Sequence, residues 1–127
     1  MEKYEGVIIR PTDYSVEDAT NRLVIFLQTS GATIYARINQ QTEAHNAGHK
    51  ILPLECIVFG NPRNGSIIMA ENPVAALDLP LKLVVWEDPR NKRWIAYNAD
   101  WYIEKRYSLS ARSAGVLNLD KLISMAF

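Results

Sequence analysis

LKLVVWEDPRNKRWIAYN, residues 81–98, is the stretch that decides the fold. Two apolar runs of strand length flank DPRNK, a polar segment that contains a proline and has the length of a hairpin loop. The stretch therefore predicts two neighbouring strands that pair antiparallel.

The N-terminal third of the chain predicts a strand followed by a helix. Residues 4–10 are typical of a strand, which Pro11 is expected to end because proline cannot donate a ladder hydrogen bond. Ser15 is placed to cap the helix, with Asp18 as its capping-box partner. Gly31 is placed to end it.

The remaining segments complete an α+β pattern. TIYARIN, Thr33–Asn39, alternates with period two and predicts a strand whose three aliphatic residues share one face, namely Ile34, Ala36 and Ile38. A short polar helix should end at Gly48, a strand should follow in LPLECIVFG, and a second short helix should run from Asn64 to Glu71. The tail predicts two further helices, in ADWYIEKRYSL and LNLDKLISMAF.

The predicted strands are more numerous than a regular alternation of strands with long helices would give. This favours an α+β class with a mainly antiparallel sheet flanked by helices. We expect one domain over residues 1–127. In the predicted strand LKLVVWE both faces are apolar, with Leu81, Leu83 and Val85 on one side and Val84 and Trp86 on the other. A solvated sheet face usually reads polar. The second face should therefore meet a partner, a ligand or the C-terminal helix, and a homodimer is the simplest partner.

Charge and cysteine content exclude several classes of protein. Lys plus Arg and Asp plus Glu are 14 each, so the chain lacks the positive surplus by which nucleic-acid and acidic-membrane binders gain affinity. Neither partner is predicted. Cys56 is the single cysteine and cannot form an intrachain disulfide. No segment approaches the roughly 20 apolar residues of a membrane span, and a cytoplasmic protein is expected.

Several short motifs occur in one order along the chain. They are Gly60-Asn61-Pro62 with the following Gly65, the run from Asp78 to Lys82, the pair Trp86 and Glu87, and the pair Tyr97 and Asn98. On these motifs, residues 7–108 resemble an uncharacterised family, domain of unknown function 302. The resemblance implies a TATA-binding-protein-like topology, β-α-β(4)-α, without implying DNA binding. Asn39 and Gln40 stand where many members have aspartate and histidine, so any acid–base or metal role of that pair would be lost here.

The turn after the third strand is a candidate anion site. Gly65 and Ser66 could present amides at a helix N-terminus to a carboxylate or phosphate, with Arg63 adding charge. The alternative is a structural turn, in which Asn61 bonds its own backbone. The missing lysine excludes a P-loop.

Two further groups are candidate ligand-binding residues. Asp78 near Lys82 or Arg37 could form a pair with shifted pKa values, or could simply cap a turn. Four aromatic residues in and after the hairpin could line a slot for a flat ligand, oriented by Asn98, or could be core and dimer interface. They are Trp86, Trp94, Tyr97 and Trp101.

No catalytic residue, metal or cofactor is predicted. His45 and His49 are four residues apart, but Gly48 interrupts the helix between them and no third ligand is evident. Ser66 lacks the GxSxG elbow. The leading hypothesis is a non-enzymatic homodimeric domain that binds a small anionic or aromatic molecule. The alternatives are an enzyme that uses Asp78, Lys82 and Asn61, and a structural adaptor for another protein.

Overall fold

The computed structural model describes residues 3–110 and 119–126. The strands are β1 (Val7–Thr12), β2 (Thr33–Asn39), β3 (Leu54–Gly60), β4 (Leu81–Glu87) and β5 (Arg93–Asn98). The helices are α1 (Val16–Thr29), α2 (Gln40–Asn46), α3 (Pro62–Glu71), α4 (Asp100–Arg106) and α5 (Leu119–Ala126), with a 3₁₀ turn at Pro73–Leu77. The strands form one antiparallel sheet in the order β1-β5-β4-β3-β2. This confirms the α+β prediction, and the order reduces to β-α-β(4)-α when the short elements between β2 and β4 and the short helix α4 are set aside.

Local signals set several boundaries as predicted. The Ser15 side chain accepts a hydrogen bond from the Asp18 amide at the start of α1. Gly31, with a φ of 93°, follows the end of that helix. The bounds of β2 and the antiparallel hairpin of β4 and β5 are also confirmed.

The first strand does not end at Pro11 as predicted. β1 continues to Thr12, and Pro11 lies opposite Trp94 of β5. Among the described strands β1 stands at an edge of the sheet. An edge strand has one side without a strand partner, so a residue that lacks an N–H is tolerated there.

A β-bulge overturns the predicted facing of β2. Ile34 lies opposite Phe59, and Ala36 lies opposite Val58, the residue directly before Phe59 in β3. Two steps along β2 thus match one step along β3, and Tyr35 is the extra residue. Ile34 therefore shares a face with Phe59, while Ala36 and Ile38 point to the other side. The prediction that all three aliphatic residues share one face was wrong.

The helices α1 and α5 pack on one side of the sheet, which we call the helix-packed face. Its buried residues come from three central strands and both helices, and they form one hydrophobic cluster. Leu23 and Leu27 of α1, Ile57 of β3, Val85 of β4 and Ile123 of α5 are fully buried there. Burial of this size is the main stabilising term of a small domain.

The opposite side, which we call the open face, is also apolar. Register places these residues on it: Val7, Ile9, Ala36, Ile38, Leu54, Cys56, Val58, Val84, Trp86, Trp94 and Ala96. None of them belongs to either hydrophobic cluster of the described residues. Lys82 and Asn98 lie at one end of this face. The predicted alternation of two apolar faces in β4 is confirmed.

A smaller cluster closes the end of the sheet at which β3 and β5 finish and β4 begins. Ile68 of α3, Ala75 of the 3₁₀ turn, and Ile103 and Tyr107 from and after α4 are buried together there. Throughout residues 3–110 and 119–126, no helix has the length and apolar character needed to cross a bilayer.

Candidate functional site

A cavity that we call the end cavity opens at this end of the sheet. Its volume is about 460 Å³. It is lined by the end of α1, the start of β2, the end of β3, the first turns of α3, the loop before β4, and α5. Leu27, Phe59, Met69, Leu81 and Leu122 give it apolar walls. Ser30, Tyr35, Asn61 and Asn64 are its polar side chains, and none of the described lining residues is charged.

Asn61 sets the start of α3 beside this cavity. Its Oδ1 accepts hydrogen bonds from the amides of Arg63, at 3.0 Å, and Asn64, at 3.4 Å. Pro62 occupies the first helical position, where its missing N–H costs nothing. The helix therefore begins at Pro62 rather than at Asn64 as predicted, because Asn61 is the capping residue.

This cap removes the predicted anion cradle. The Gly65 amide donates to the carbonyl oxygen of Asn61 at 2.8 Å, so Gly65 lies inside the helix. The Ser66 hydroxyl donates to the Pro62 carbonyl oxygen. Arg63 and Ser66 are exposed, and neither lines the end cavity. Asn61 and Gly65 do line it, so two of the four residues predicted here meet in one cavity, though not as anion ligands.

Tyr35 is a lining residue that the sequence did not reveal. As the extra residue of the β2 bulge, it lies at the mouth of the cavity, and 52% of it is exposed. A Cβ built on Gly60 would lie 3.6 Å from Cε2 of Tyr35 and 3.7 Å from Cβ of Pro80. The missing side chain of Gly60 thus leaves space between the tyrosine ring and the loop before β4.

A second, smaller cavity of about 40 Å³ contains three other predicted residues, Asp78, Lys82 and Asn98. Oδ2 of Asp78 accepts hydrogen bonds from the Tyr107 hydroxyl, at 2.5 Å, and from Nη1 of Arg106, at 3.0 Å. The pKa of Tyr107 is raised, mainly because the hydroxyl is buried and secondly because it donates to the Asp78 carboxylate. The expected partners of Asp78 were Lys82 or Arg37, so its pairing with Arg106 is a correction. These contacts bridge residues distant in sequence, which no local pattern signals.

The three residues of the enzymatic alternative do not share a cavity. Asn61 lines the end cavity, whereas Asp78 and Lys82 line the smaller one. Arg37, the other candidate partner of Asp78, instead pairs with Glu55. The structure therefore does not bring these three residues together in either of these two cavities.

The four aromatic residues do not form one slot. Trp86 and Trp94 lie opposite each other on the open face, and Nε1 of Trp94 donates to Asp88 at 3.0 Å. Tyr97 is buried on the helix-packed face, where its hydroxyl donates to Oδ1 of Asp120 at 2.5 Å. The pKa of Tyr97 is raised to about 12, mainly because the hydroxyl is buried and secondly because it donates to the Asp120 carboxylate. Trp101 of α4 is half exposed.

The two histidines border a shallow cleft of about 270 Å³ together with Lys50. Within the described ranges, no three His, Cys, Asp or Glu side chains come together as a metal site would require. Cys56 is buried, and burial raises the pKa of its thiol. A raised thiol pKa disfavours the nucleophilic thiolate.

Comparison with known proteins gives a family and a fold. A family model described as "Domain of unknown function DUF302" matches residues 8–125. A crystal structure of an uncharacterized conserved DUF302 protein from Bacillus stearothermophilus is 15% identical, with a TM-score of 0.82, and the match covers 97% of this chain and 96% of that one. At this identity the likeness shows the fold alone.

Two curated relatives carry another name. They are "Fluoride-specific ion channel FluC 1" of Brucella suis and "Fluoride-specific ion channel FluC 2" of Brucella melitensis. Each is 31% identical over 108 residues, which are 85% of this chain but 42% and 40% of the relatives. The chain thus spans about two fifths of the length of these relatives.

Proposed function

The chain belongs to the DUF302 family, whose name states no activity, and from that premise we propose that it is a non-enzymatic domain that binds a small neutral molecule in the end cavity and works as a homodimer. The observation that carries the proposal is the lining of that cavity. Its volume of about 460 Å³ lies within the range of known small-molecule sites. Apolar walls with a few polar groups are typical of such sites.

Charge separates the two ligand classes that the sequence left open. None of the described residues that line the end cavity is charged. The Arg63, Asn64 and Gly65 amides at the start of α3 are already bonded to Asn61. An anion in an apolar cavity without charged partners would lose more hydration free energy than it regained. The geometry therefore favours a neutral aromatic or apolar molecule over an anion.

The open face supports the homodimer. Its central residues, Val58 and Val84, are partly buried and belong to neither hydrophobic cluster of the described chain. Two such faces can pack against each other at a spacing of about 10 Å. Lys82 lies at one end of the face, so a two-fold axis that lies between the two sheets and runs across the strands would place the two Lys82 charges at opposite ends. The proposal places the domain in the cytoplasm, where the buried Cys56 thiol stays reduced.

The test compares two dyes of one framework. N-phenyl-1-naphthylamine is neutral, and 8-anilinonaphthalene-1-sulfonate adds one negative charge. We expect saturable fluorescence enhancement by the neutral dye at one site per chain, with an affinity at least about tenfold above that of the sulfonate. Tighter binding of the sulfonate, or no binding of either dye, would contradict the proposal.

A pair of variants locates the dye. In Gly60→Val the new side chain grows toward Tyr35 and Pro80, which a Cβ would meet at ordinary contact distances of 3.6 and 3.7 Å, and it narrows the end cavity. Val58→Thr replaces a methyl group on the open face by a hydroxyl of similar volume. We expect the glycine variant to lose affinity for the neutral dye and the threonine variant to retain it. The reverse pattern would assign the dye to the open face.

A second candidate function is suggested by the curated relatives. Their names describe a fluoride-specific ion channel, and the aligned stretch is only 42% and 40% of their length. The described part of this chain has no helix suited to span a bilayer. The matching stretch would then be a domain attached to a channel, and this chain an adaptor that docks on such a protein. The test is sedimentation of the purified chain with vesicles that hold the full Brucella suis relative, against empty vesicles. Equal sedimentation in both would contradict the adaptor.

A further inference from the structure

The Tyr35 side chain is half exposed beside the end cavity. The bulge makes Tyr35 an extra residue of β2 and places it at the cavity mouth, where 52% of it stays exposed. Among the described residues its ring makes no aromatic or cation–π contact, and its hydroxyl makes no hydrogen bond. Bulges often re-aim a side chain beside a functional site. The exposed part of this side chain borders the end cavity and can contact a ligand there.

Asn61 offers a hydrogen-bond donor of fixed orientation. Its Oδ1 accepts from the amides of Arg63 and Asn64, so the amide cannot flip without losing both bonds. Nδ2 is then the free end of the side chain, and it has no partner within the part of the chain that the structure describes. Asn61 follows Gly60, on which an added Cβ would lie 3.6 Å from Cε2 of Tyr35.

From these two features we propose that the end cavity selects a planar aromatic molecule that carries a neutral hydrogen-bond acceptor. The ring of the ligand stacks against Tyr35, and its acceptor binds Nδ2 of Asn61. Gly60 leaves the gap through which the ligand reaches both groups. This inference rests on the proposed function, because it needs the end cavity to bind a small molecule at all.

The physical basis is the cost of alternatives. Offset or edge-on contact between aromatic rings adds roughly two- to tenfold in affinity beyond the area that is buried. A buried donor that meets no acceptor loses its bond to water and weakens binding. A saturated ligand lacks the contact between aromatic rings. An aromatic hydrocarbon without an acceptor leaves the Asn61 donor without a hydrogen bond.

Three probes of similar size separate these contributions. 2-Acetylnaphthalene is planar and has an acceptor, 2-ethylnaphthalene is planar without one, and 2-acetyldecalin has the acceptor without the aromatic rings. Each is measured by displacement of N-phenyl-1-naphthylamine. We expect the first to bind about five- to tenfold more tightly than either of the others.

Matched variants assign each preference to its residue. Tyr35→Leu should abolish the preference for naphthalene over decalin, whereas Tyr35→Phe, which keeps the ring, should retain it. Asn61→Asp keeps the capping oxygen of α3 and removes the donor, so it should abolish the preference for acetyl over ethyl. Unchanged melting temperatures would show that these variants fold.

Two failures are distinguishable. If the dye binds in the end cavity but the three probes displace it equally, or if the preferences survive Tyr35→Leu and Asn61→Asp, the present inference is overturned and the proposed function stands. If neither the dye nor any probe binds the wild-type protein, both are overturned.

Discussion

Arg37 holds Glu55 at two points on the helix-packed face, with Nε 2.8 Å from Oε1 and Nη2 3.1 Å from Oε2. Its Nη1 also donates to Oδ1 of Asn21 on α1 at 2.6 Å. Arg37 reaches this face because the bulge at Tyr35 shifts the phase of β2. One extra residue thus aims a ring at the end cavity and links β2 to α1.

Loss of this arginine should destabilise the protein. In Arg37→Met, Glu55, only 6% exposed, would be left without its partner, and an unpaired buried carboxylate is costly. Because the Arg37 side chain is itself 33% exposed, we expect a loss of about 2 kcal/mol rather than the larger cost of a fully buried pair. Urea unfolding measures it.

A second ion pair supplies the control. Nε of Arg93 lies 3.1 Å from Oε1 of Glu87, whose side chain is more exposed than that of Glu55. Arg93→Met should therefore cost only about 0.5 kcal/mol. Equal losses in the two variants would show that the pair of Arg37 and Glu55 has no special role.

The sequence predicted those features that depend on neighbouring residues of the chain. It missed those that depend on contacts between residues distant in sequence. Ser15 caps α1 through its own turn, and its residue type announces this. The bulge at Tyr35 depends on how β2 meets β3, and TIYARIN keeps a perfect period of two on either side of it. The start of α3 was local and could have been found, because Asn61 before Pro62 is the expected pairing of cap and first helical residue.

The Tyr97 hydroxyl should make stability fall at high pH. Its pKa is raised from 10.0 to about 12, mainly by burial and then by Asp120, so the folded state favours the protonated phenol. The resulting stability is complete below pH 10 and is lost as pH rises toward 12. A pKa difference of about 2 between the folded and unfolded states corresponds to at most about 2.7 kcal/mol of stability, and we expect a loss of about 2 kcal/mol.

Comparison with Tyr97→Phe isolates this effect, since other groups titrate in both proteins. The difference in unfolding free energy between wild type and variant, measured in urea at increasing pH, should shift against the wild type above pH 10. The raised pKa of Tyr107 is common to both and cancels. A constant difference across that range would mean that Tyr97 titrates as it does in the unfolded chain.

Gly6 should tolerate no side chain. It has a φ of +73°, and an added Cβ would lie 2.2 to 2.5 Å from atoms of the Tyr102 side chain. Gly31 has a φ of +93° but nothing within 4 Å of such a Cβ. Gly31→Ala should therefore cost only the backbone strain, about 1 kcal/mol, and Gly6→Ala at least about 2 kcal/mol more. Thermal unfolding of both variants checks this, and equal melting temperatures would show that the Tyr102 ring moves aside freely.

The candidate site could be predicted from sequence only in part, for a physical reason. Asn61 and Gly65 were found because their residue types mark a turn and a helix start. Leu27, Phe59 and Leu122 line the same cavity, yet in sequence they cannot be told from core residues, since apolar periodicity indicates burial and not what is buried against it. Only the bulge and the chain packing turn them into the walls of a cavity.

Trp86 tests the open face. It lies there opposite Trp94 and is only partly buried within one chain. If two copies pack through this face, Trp86→Ala should weaken association by about 3 kcal/mol, or roughly a hundredfold in the dissociation constant, and leave the melting of the monomer nearly unchanged. Trp101→Ala is the matched control, because Trp101 of α4 is 49% exposed and lies outside the open face. Sedimentation velocity over a range of concentrations measures both. A wild-type protein that stays monomeric, or equal weakening by the two changes, would mean that the open face is not where two copies meet, and its apolar residues would then have to be explained by a different partner.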